Sequence, residues 1–326
     1  MKPLIQTQNL SLHYPQFTPF LRRTISEVRA VNNININIMK GESLGLVGES
    51  GCGKSTLGKT LIRFNQPTSG SIVYYDENTP INIETMSDNF LKKKGIRQKF
   101  QMLLQDHASA MNPRMTIKRI IGEAVRACRQ KPQHKMHDIV LKCLQQVGLN
   151  ETHLNRYPHE FSGGQRQRIC IARTLAMQPE FIVLDEPTSA LDVSVQAQIL
   201  LLLNEIRKKL ALTYVFITHN LLILKYVCNR VAIMYLGSIV EILNVDDLFK
   251  QARHPYTKSL LNCVPDIDQT EHFTPPTGEI PGISERTNGC GFYNRCANAC
   301  ETCANNFPAL KQVSEQHWVA CHQCDI

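Results

Sequence analysis

The run Gly48-Glu49-Ser50-Gly51-Cys52-Gly53-Lys54-Ser55-Thr56 sets three glycines ahead of a lysine and two hydroxyls. Glycine lets successive backbone N–H groups turn inward together, and at a helix N-terminus such a loop becomes a concave anion site. Lys54 can then reach the β- and γ-phosphates of a nucleotide, and the Ser55 hydroxyl can coordinate Mg²⁺. The pattern fits a phosphate loop in full. A second group of residues suits the same chemistry. Phe181-Ile182-Val183-Leu184 is an apolar run ending in Asp185-Glu186, and strand ends are where a buried sheet presents polar groups to a ligand crevice. Asp185 can hold Mg²⁺ directly or through water, and Glu186 can polarise the water that attacks the γ-phosphate. Taken alone, the same pair also suits a helix N-cap, where carboxylates are favoured.

The elements around these residues must hold them. Ile34, Ile36 and Ile38 alternate with Asn33, Asn35 and Asn37, the period of a half-buried strand. Leu44 to Val47 reads as a buried strand entering the phosphate loop, and Thr56 to Ile62 as the helix leaving it. Phe181 to Leu184 and Tyr214 to Ile217 read as two more buried strands, the latter again followed by helix-like sequence. Strands alternating with helices imply an α/β fold with parallel members. From about 106 to 178 strand signals are few and helix formers many, which reads as a helical insert. Pro265 to Pro281, rich in Pro, Thr and acidic residues, reads as a linker.

Ser162-Gly163-Gly164-Gln165 then narrows the class. It resembles the signature segment Leu-Ser-Gly-Gly-Gln of the ABC ATPase family, with Phe161 in the leucine position. The resemblance implies that this segment of one protomer closes on the ATP held by the other, so that hydrolysis belongs to a head-to-tail pair. Other positions match in order. Gln105 corresponds to the glutamine that senses Mg²⁺ and water and contacts the transport partner. Ser189-Ala190-Leu191-Asp192 looks like the loop through which the protomers communicate. His219 matches the histidine that contacts the γ-phosphate, although a His after a strand is by itself more often structural. Tyr14 matches the aromatic position that stacks on adenine, with an ordinary core or surface tyrosine as the alternative.

The resemblance extends to a branch. Gln105-Asp106 with Met111-Asn112-Pro113-Arg114-Met115-Thr116, the run Ala190 to Gln198, and His254-Pro255-Tyr256-Thr257 are similar to the ATP-binding subunits of oligopeptide, dipeptide and nickel importers. The segments Gly51 to Leu57 and Pro67-Thr68-Ser69-Gly70 resemble the second of the two non-identical ATPases in such systems. His107, Ala110 and Asn220 depart from the branch without removing a catalytic group. The resemblance implies ATP hydrolysis coupled to solute uptake at the cytoplasmic face of the inner membrane. Its implied partners are two transmembrane permease subunits, a second ATPase subunit (or a second copy of this chain) and, indirectly, an extracytoplasmic solute-binding protein.

The fold expected is an α/β, P-loop ABC-type ATPase core with an α-helical subdomain and a small C-terminal Cys-rich extension. Its boundaries are expected at 1–250 and 251–326. The 326 residues, 43% of them hydrophobic and 20% charged, are those of an ordinary globular protein. No secretory leader is read at the N-terminus, and the uncharged stretch Leu210 to Leu224 is broken by polar residues. The net charge of +8 is spread along the chain with no basic block, so no nucleic-acid partner is expected. The rival reading is a soluble ABC ATPase acting on nucleic acid or ribosomes, for which a single cassette and a short tail give little support.

Six of the twelve cysteines fall between Cys290 and Cys324, and without a secretory signal such a cluster points to metal before disulfides. Two quartets compete. Cys300-x2-Cys303 and Cys321-x2-Cys324, seventeen residues apart, have zinc-ribbon spacing. Cys290, Cys296, Cys303 and Cys321, with flanking His317 to His322, resemble the tail of peptide-importer ATPases, where four cysteines can hold a [4Fe–4S] cluster. Reduced cysteines that merely pack the tail are the third reading.

Overall fold

A computed structural model of the chain describes residues 2–17, 24–77, 79–104, 111–128, 135–263 and 289–324. Its strands are β1 (Pro3–Phe17), β2 (Thr24–Met39), β3 (Ser43–Val47), β4 (Ser69–Asp76), β5 (Thr79–Asn82), β6 (Phe100–Leu103) and β7 (Phe181–Asp185). They continue as β8 (Thr213–Ile217), β9 (Arg230–Tyr235), β10 (Ser238–Asn244), β11 (Lys311–Ser314) and β12 (His317–Val319). The described residues of 1–2, 39–42 and 85–216 form one compact unit, and those of 3–38, 43–84 and 217–326 form a second.

In the first unit the strands lie in the order β8-β7-β6, and β6 pairs with β7 in parallel, Phe100 opposite Phe181 and Leu103 opposite Leu184. Every residue of β7 and β8 is buried, the continuous apolar pattern of parallel strands covered on both faces. Helices Ile117–Ala127, Met136–Gln146 and Gly163–Ala176 pack on one another. No strand lies between 111 and 178 among the described residues. Ile117, Ile120, Ile121, Ala124 and Val125, at helical spacing, form the buried stripe of the first of these helices.

The second unit holds an antiparallel sheet, β2-β1-β4-β5, and a further set of strands in the order β11-β12-β10-β9-β3. The expected alternation in β2 is present: Ile34, Ile36 and Ile38 are buried while Asn33, Asn35 and Asn37 are exposed. Here β3 runs parallel to β9, Val47 opposite Ile233, and feeds the phosphate loop. The helix expected from Thr56 starts at Lys54 and ends at Leu61. The helix-like sequence after β8 yields only the short turn Leu224–Val227.

The C-terminal segment is stitched onto this unit by β12, which pairs with β10 at Glu241 opposite Val319 and Ile242 opposite Trp318. Glu241 has no exposed surface. Its carboxylate accepts from His317 Nε2 at 2.8 Å, from the Arg253 N–H at 2.7 Å and from the His254 N–H at 3.2 Å. A buried carboxylate is tolerable only with such a set of donors. It thereby fixes β12 and the start of helix Pro255–Asn262 to β10.

His254, 1% exposed, caps that helix by accepting the Tyr256 N–H on Nδ1 at 3.1 Å, so its ring proton sits on Nε2. Burial pushes its pKa down from 6.5 to about 4, against the raising effect of a hydrogen bond to the Ala320 backbone. Since the folded value is depressed, the unfolded chain binds the extra proton first, and stability is lost as pH falls from about 6.5 toward 4. His254→Asn keeps a capping acceptor without the titration. Between pH 7 and 5 the wild type is expected to lose about 2 kcal/mol more than this variant in urea unfolding. Equal losses would show that His254 does not stay neutral in the folded chain.

Candidate active site

The phosphate loop follows directly from β3. Gly48 is needed because a Cβ there would meet the Met234 carbonyl oxygen at 2.1 Å. Gly53 combines a φ of +107° with an equally close Ala30 carbonyl, so only glycine fits. The Gly237 N–H donates to the Cys52 carbonyl at 2.7 Å, which pins the loop to the β9–β10 turn. Lys54 is buried, and its Nζ donates to the carbonyls of Gly48 and Glu49, each at 2.8 Å. The ammonium is thus folded into the loop where a phosphate would sit. Cys52 is buried, and burial raises its thiol pKa against the lowering effect of Lys54.

Glu49, Ser50, Gly51, Ser55 and Thr56 complete the loop in the second unit, which also carries Tyr14 and His219. Tyr14 lies on β1 and is 43% exposed. Its hydroxyl accepts from Asn65 Nδ2 at 3.2 Å, while the Asn65 N–H bonds the Lys59 carbonyl of the helix leaving the loop. His219 follows β8 and is exposed. The adjacent turn is closed by the Asn220 N–H on Thr218 Oγ1 at 3.0 Å.

The first unit carries the carboxylates. Asp185 closes β7 and is 5% exposed. Glu186 follows with φ +47°, a left-handed conformation that costs a non-glycine residue and recurs at catalytic positions. The Ser189 hydroxyl and N–H both donate to the Glu186 carbonyl, at 3.2 and 3.3 Å, holding the turn. Asp192, exposed, begins helix Val193–Leu210.

Ser162 caps helix Gly163–Ala176. Its Oγ accepts the Gln165 N–H at 3.3 Å, and Gln165 Oε1 accepts the Ser162 N–H at 3.1 Å. This reciprocal capping box was not part of the sequence reading, although Ser-x-x-Gln is its pattern. Ser162 and Gly163 stay exposed at the helix N-terminus, where N–H groups favour an anion. Gly164 is buried because the helix passes Val195 closely: a Cβ would meet Val195 Cγ1 at 2.4 Å. Gln167, fully buried, donates to the Pro187 carbonyl at 2.7 Å and ties this helix to the turn after β7. Gln105, like Asp106, His107, Ala110 and the expected 265–281 linker, lies outside the described residues.

None of the twelve cysteines is in a disulfide. In the tail, Cys300 and Cys303 sulfurs are 3.3 Å apart, and the Cys290 N–H donates to the Cys303 carbonyl at 2.7 Å. A hydrogen bond from Cys324 holds Cys321 down at about 6, whereas burial pushes Cys290 up to about 11. Among the described residues no group of three or more His, Cys, Asp or Glu side chains is placed so that it could hold a metal ion. No described helix is long and apolar enough to cross a membrane.

A phosphate loop entering a helix, a parallel strand ending in two carboxylates and a capped Ser-Gly-Gly-Gln segment are the parts of an ATPase of the ATP-binding cassette type. Residues 31–189 match the family described as ABC transporter, and residues 240–303 match the one described as oligopeptide/dipeptide transporter, C-terminal region. The oligopeptide transport ATP-binding protein AppF of Bacillus subtilis is 38% identical over 323 residues, 98% of this chain and 97% of that protein. The putative oligopeptide transport ATP-binding protein YkfD of the same organism is 42% identical over 325 residues, 98% of this chain and 95% of the other. Among solved structures, the ATP-binding cassette MJ0796, a dimer in a post-hydrolysis state with ADP and Pi, aligns with a TM-score of 0.62. That alignment has 27% identity and covers 74% of this chain and 98% of the cassette. The chain therefore belongs to the ABC transporter ATP-binding proteins that carry the oligopeptide/dipeptide C-terminal region, and it is an ATPase of that family.

The close approach at Gly164 gives a test. Gly164→Ala is expected to destabilise the fold by about 1–3 kcal/mol through overpacking. Trimming the opposing side chain in Gly164→Ala with Val195→Ala should recover most of that loss in chemical denaturation. No recovery would mean that the glycine serves something other than this contact.

Proposed function

We propose that this chain hydrolyses ATP to power uptake of oligopeptides, dipeptides or a related small solute. The observation that carries the reading is the joint occurrence, in one chain, of the ATPase motifs and of the C-terminal region matched at 240–303. The proposed organisation is a nucleotide-binding domain over 1–250, with its helical insert at about 106–178, and an importer-type extension over 251–326. The ATPase works as a pair, with a second ATPase subunit or a second copy of itself. It sits peripherally on the cytoplasmic face of the inner membrane against two permease subunits, served indirectly by an extracytoplasmic solute-binding protein. The names of AppF and YkfD support peptide as the cargo and speak against the nucleic-acid rival.

In the proposed cycle Tyr14 stacks on adenine, and the loop from Gly48 to Thr56 wraps the phosphates. Lys54 exchanges the Gly48 and Glu49 carbonyls for phosphate oxygens. Ser162, Gly163, Gly164 and Gln165 of the partner protomer close on the γ-phosphate with a helix N-terminus, and Asp192 conveys closure between protomers. Glu186 orients and polarises the attacking water, and His219 holds the γ-phosphate. Ser55, Asp185 and Gln105 would hold Mg²⁺; hydroxyl, carboxylate and amide oxygens suit that hard cation. When bound, it neutralises charge on the phosphates.

The tail thiols are proposed as ligands of a [4Fe–4S] cluster through Cys290, Cys296, Cys303 and Cys321, with zinc as the alternative. Thiolates fit either metal in donor type, but as placed they do not form a ligand set, so binding would have to draw them together.

Two outcomes are expected. Glu186→Gln should bind ATP and accumulate closed pairs while turnover falls by about a hundredfold or more, and normal turnover would remove Glu186 from this role. Anaerobically prepared protein should contain iron and sulfide at about four to four per chain, lost in Cys290→Ser and kept in Cys324→Ser. Zinc without visible absorption would overturn the cluster. The direct test of the import reading is affinity capture from gently solubilised membranes, which should bring down two polytopic permeases. Ribosomal partners alone would overturn it.

A further inference from the structure

Glu49 presents a difficulty to the loop that contains it. A carboxylate in the wall of a polyanion site repels the ligand that the loop is built to hold, most strongly where water is scarce. The structure answers it from far along the chain. Arg295, 246 residues away, forms a two-pronged ion pair with Glu49, Nη1 to Oε2 and Nη2 to Oε1, both at 2.9 Å. The Arg295 side chain is only 4% exposed and that of Glu49 17%. Nη1 also donates to the Tyr235 hydroxyl at 3.3 Å, and the guanidinium lies over the rings of Tyr235 and Phe292. Tyr256, without exposed surface, accepts the Glu49 N–H on its hydroxyl at 2.9 Å. Its ring packs on Tyr235 at 4.5 Å and on Phe292 at 5.4 Å. Glu49 therefore meets Lys54 through its carbonyl, Tyr256 through its N–H and Arg295 through its carboxylate.

We infer that Arg295 and Tyr256 are positioning residues for the phosphate loop, through which the Cys-rich extension sets the affinity for nucleotide. Arg295 cancels the Glu49 charge before the phosphates arrive, and Tyr256 fixes the backbone of the loop. Both contacts come from elements after residue 250. Arg295 lies in the turn Tyr293–Arg295 between Cys290 and Cys296, which is held by the Cys290–Cys303 backbone bond. Undocking the extension would leave Glu49 unneutralised, so nucleotide affinity depends on the fold of a segment with no ATPase motif. The inference rests on the reading of Gly48 to Thr56 as the nucleotide site.

The test is titration of the full chain with a non-hydrolysable ATP analogue, together with steady-state ATPase kinetics. Arg295→Ala should bind the analogue about tenfold more weakly and raise KM by a similar factor, with kcat little changed. Adding Glu49→Gln should bring binding back to within about threefold of wild type, because no unpaired carboxylate remains. Trp318, the one tryptophan and a member of β12, reports whether the extension stays docked. Arg295→Ala binding equal to wild type would overturn the inference. So would a double variant as weak as the single one. A wild-type chain that fails to bind the analogue would sink the nucleotide-site reading itself, and this inference with it.

Discussion

A phosphate loop has to keep its N–H groups for an anion, so its shape must be imposed by neighbours instead of by its own hydrogen bonds. Most of the second unit can be read as the answer to that constraint. The Met234 and Ala30 carbonyls press against Gly48 and Gly53 so closely that no side chain fits. Gly237 pins the Cys52 carbonyl from the β9–β10 turn, and Tyr256 takes the Glu49 N–H. The parallel pairing of β3 with β9 brings the loop to these partners. Every one of them is distant in sequence.

The first unit solves a different problem, that of presenting carboxylates at the end of a buried strand. Asp185 remains within the burial of β7, whereas Glu186 leaves it with a left-handed backbone held by Ser189. Gln167 binds the Pro187 carbonyl, so the helix that begins at the Ser-Gly-Gly-Gln segment is tied to the turn after the carboxylates. The same helix is brought against Val195 by the absence of a Cβ at Gly164. Within this unit the signature segment, the carboxylate turn and the start of helix Val193–Leu210 are therefore one packed assembly. A shift at one of them is felt at the others, because close-packed contacts have little slack.

The extension owes its place to one buried charge. Glu241 collects donors from β12 and from the start of helix Pro255–Asn262, and both would be left unsatisfied if it were removed. That helix delivers Tyr256, and the segment before β11 delivers Arg295. A polar knot far from any recognisable motif thus holds the residues that reach Glu49. Cys290 and Cys296 stand in the same segment, on either side of the turn that carries Arg295.

The sequence alone determined which residues are proposed to bear the chemistry. Gly48 to Thr56, Asp185-Glu186 and Ser162 to Gln165 are local patterns whose function depends on adjacent residue types, and β2, β3, β7 and β8 show their burial in simple periodicity. Local signals also reached the helical stretch between 111 and 178, where no strand intervenes among the described residues. What lay beyond them was decided by tertiary structure. Nothing in the spacing of Glu49 and Arg295 announces an ion pair across 246 residues, since the two meet only in the folded chain. The Gly164–Val195 contact, the capture of Glu241 by His317 and the bond from Gln167 to Pro187 are likewise products of packing. Periodicity records which side of an element faces inward; it carries no information about which distant side chain waits there.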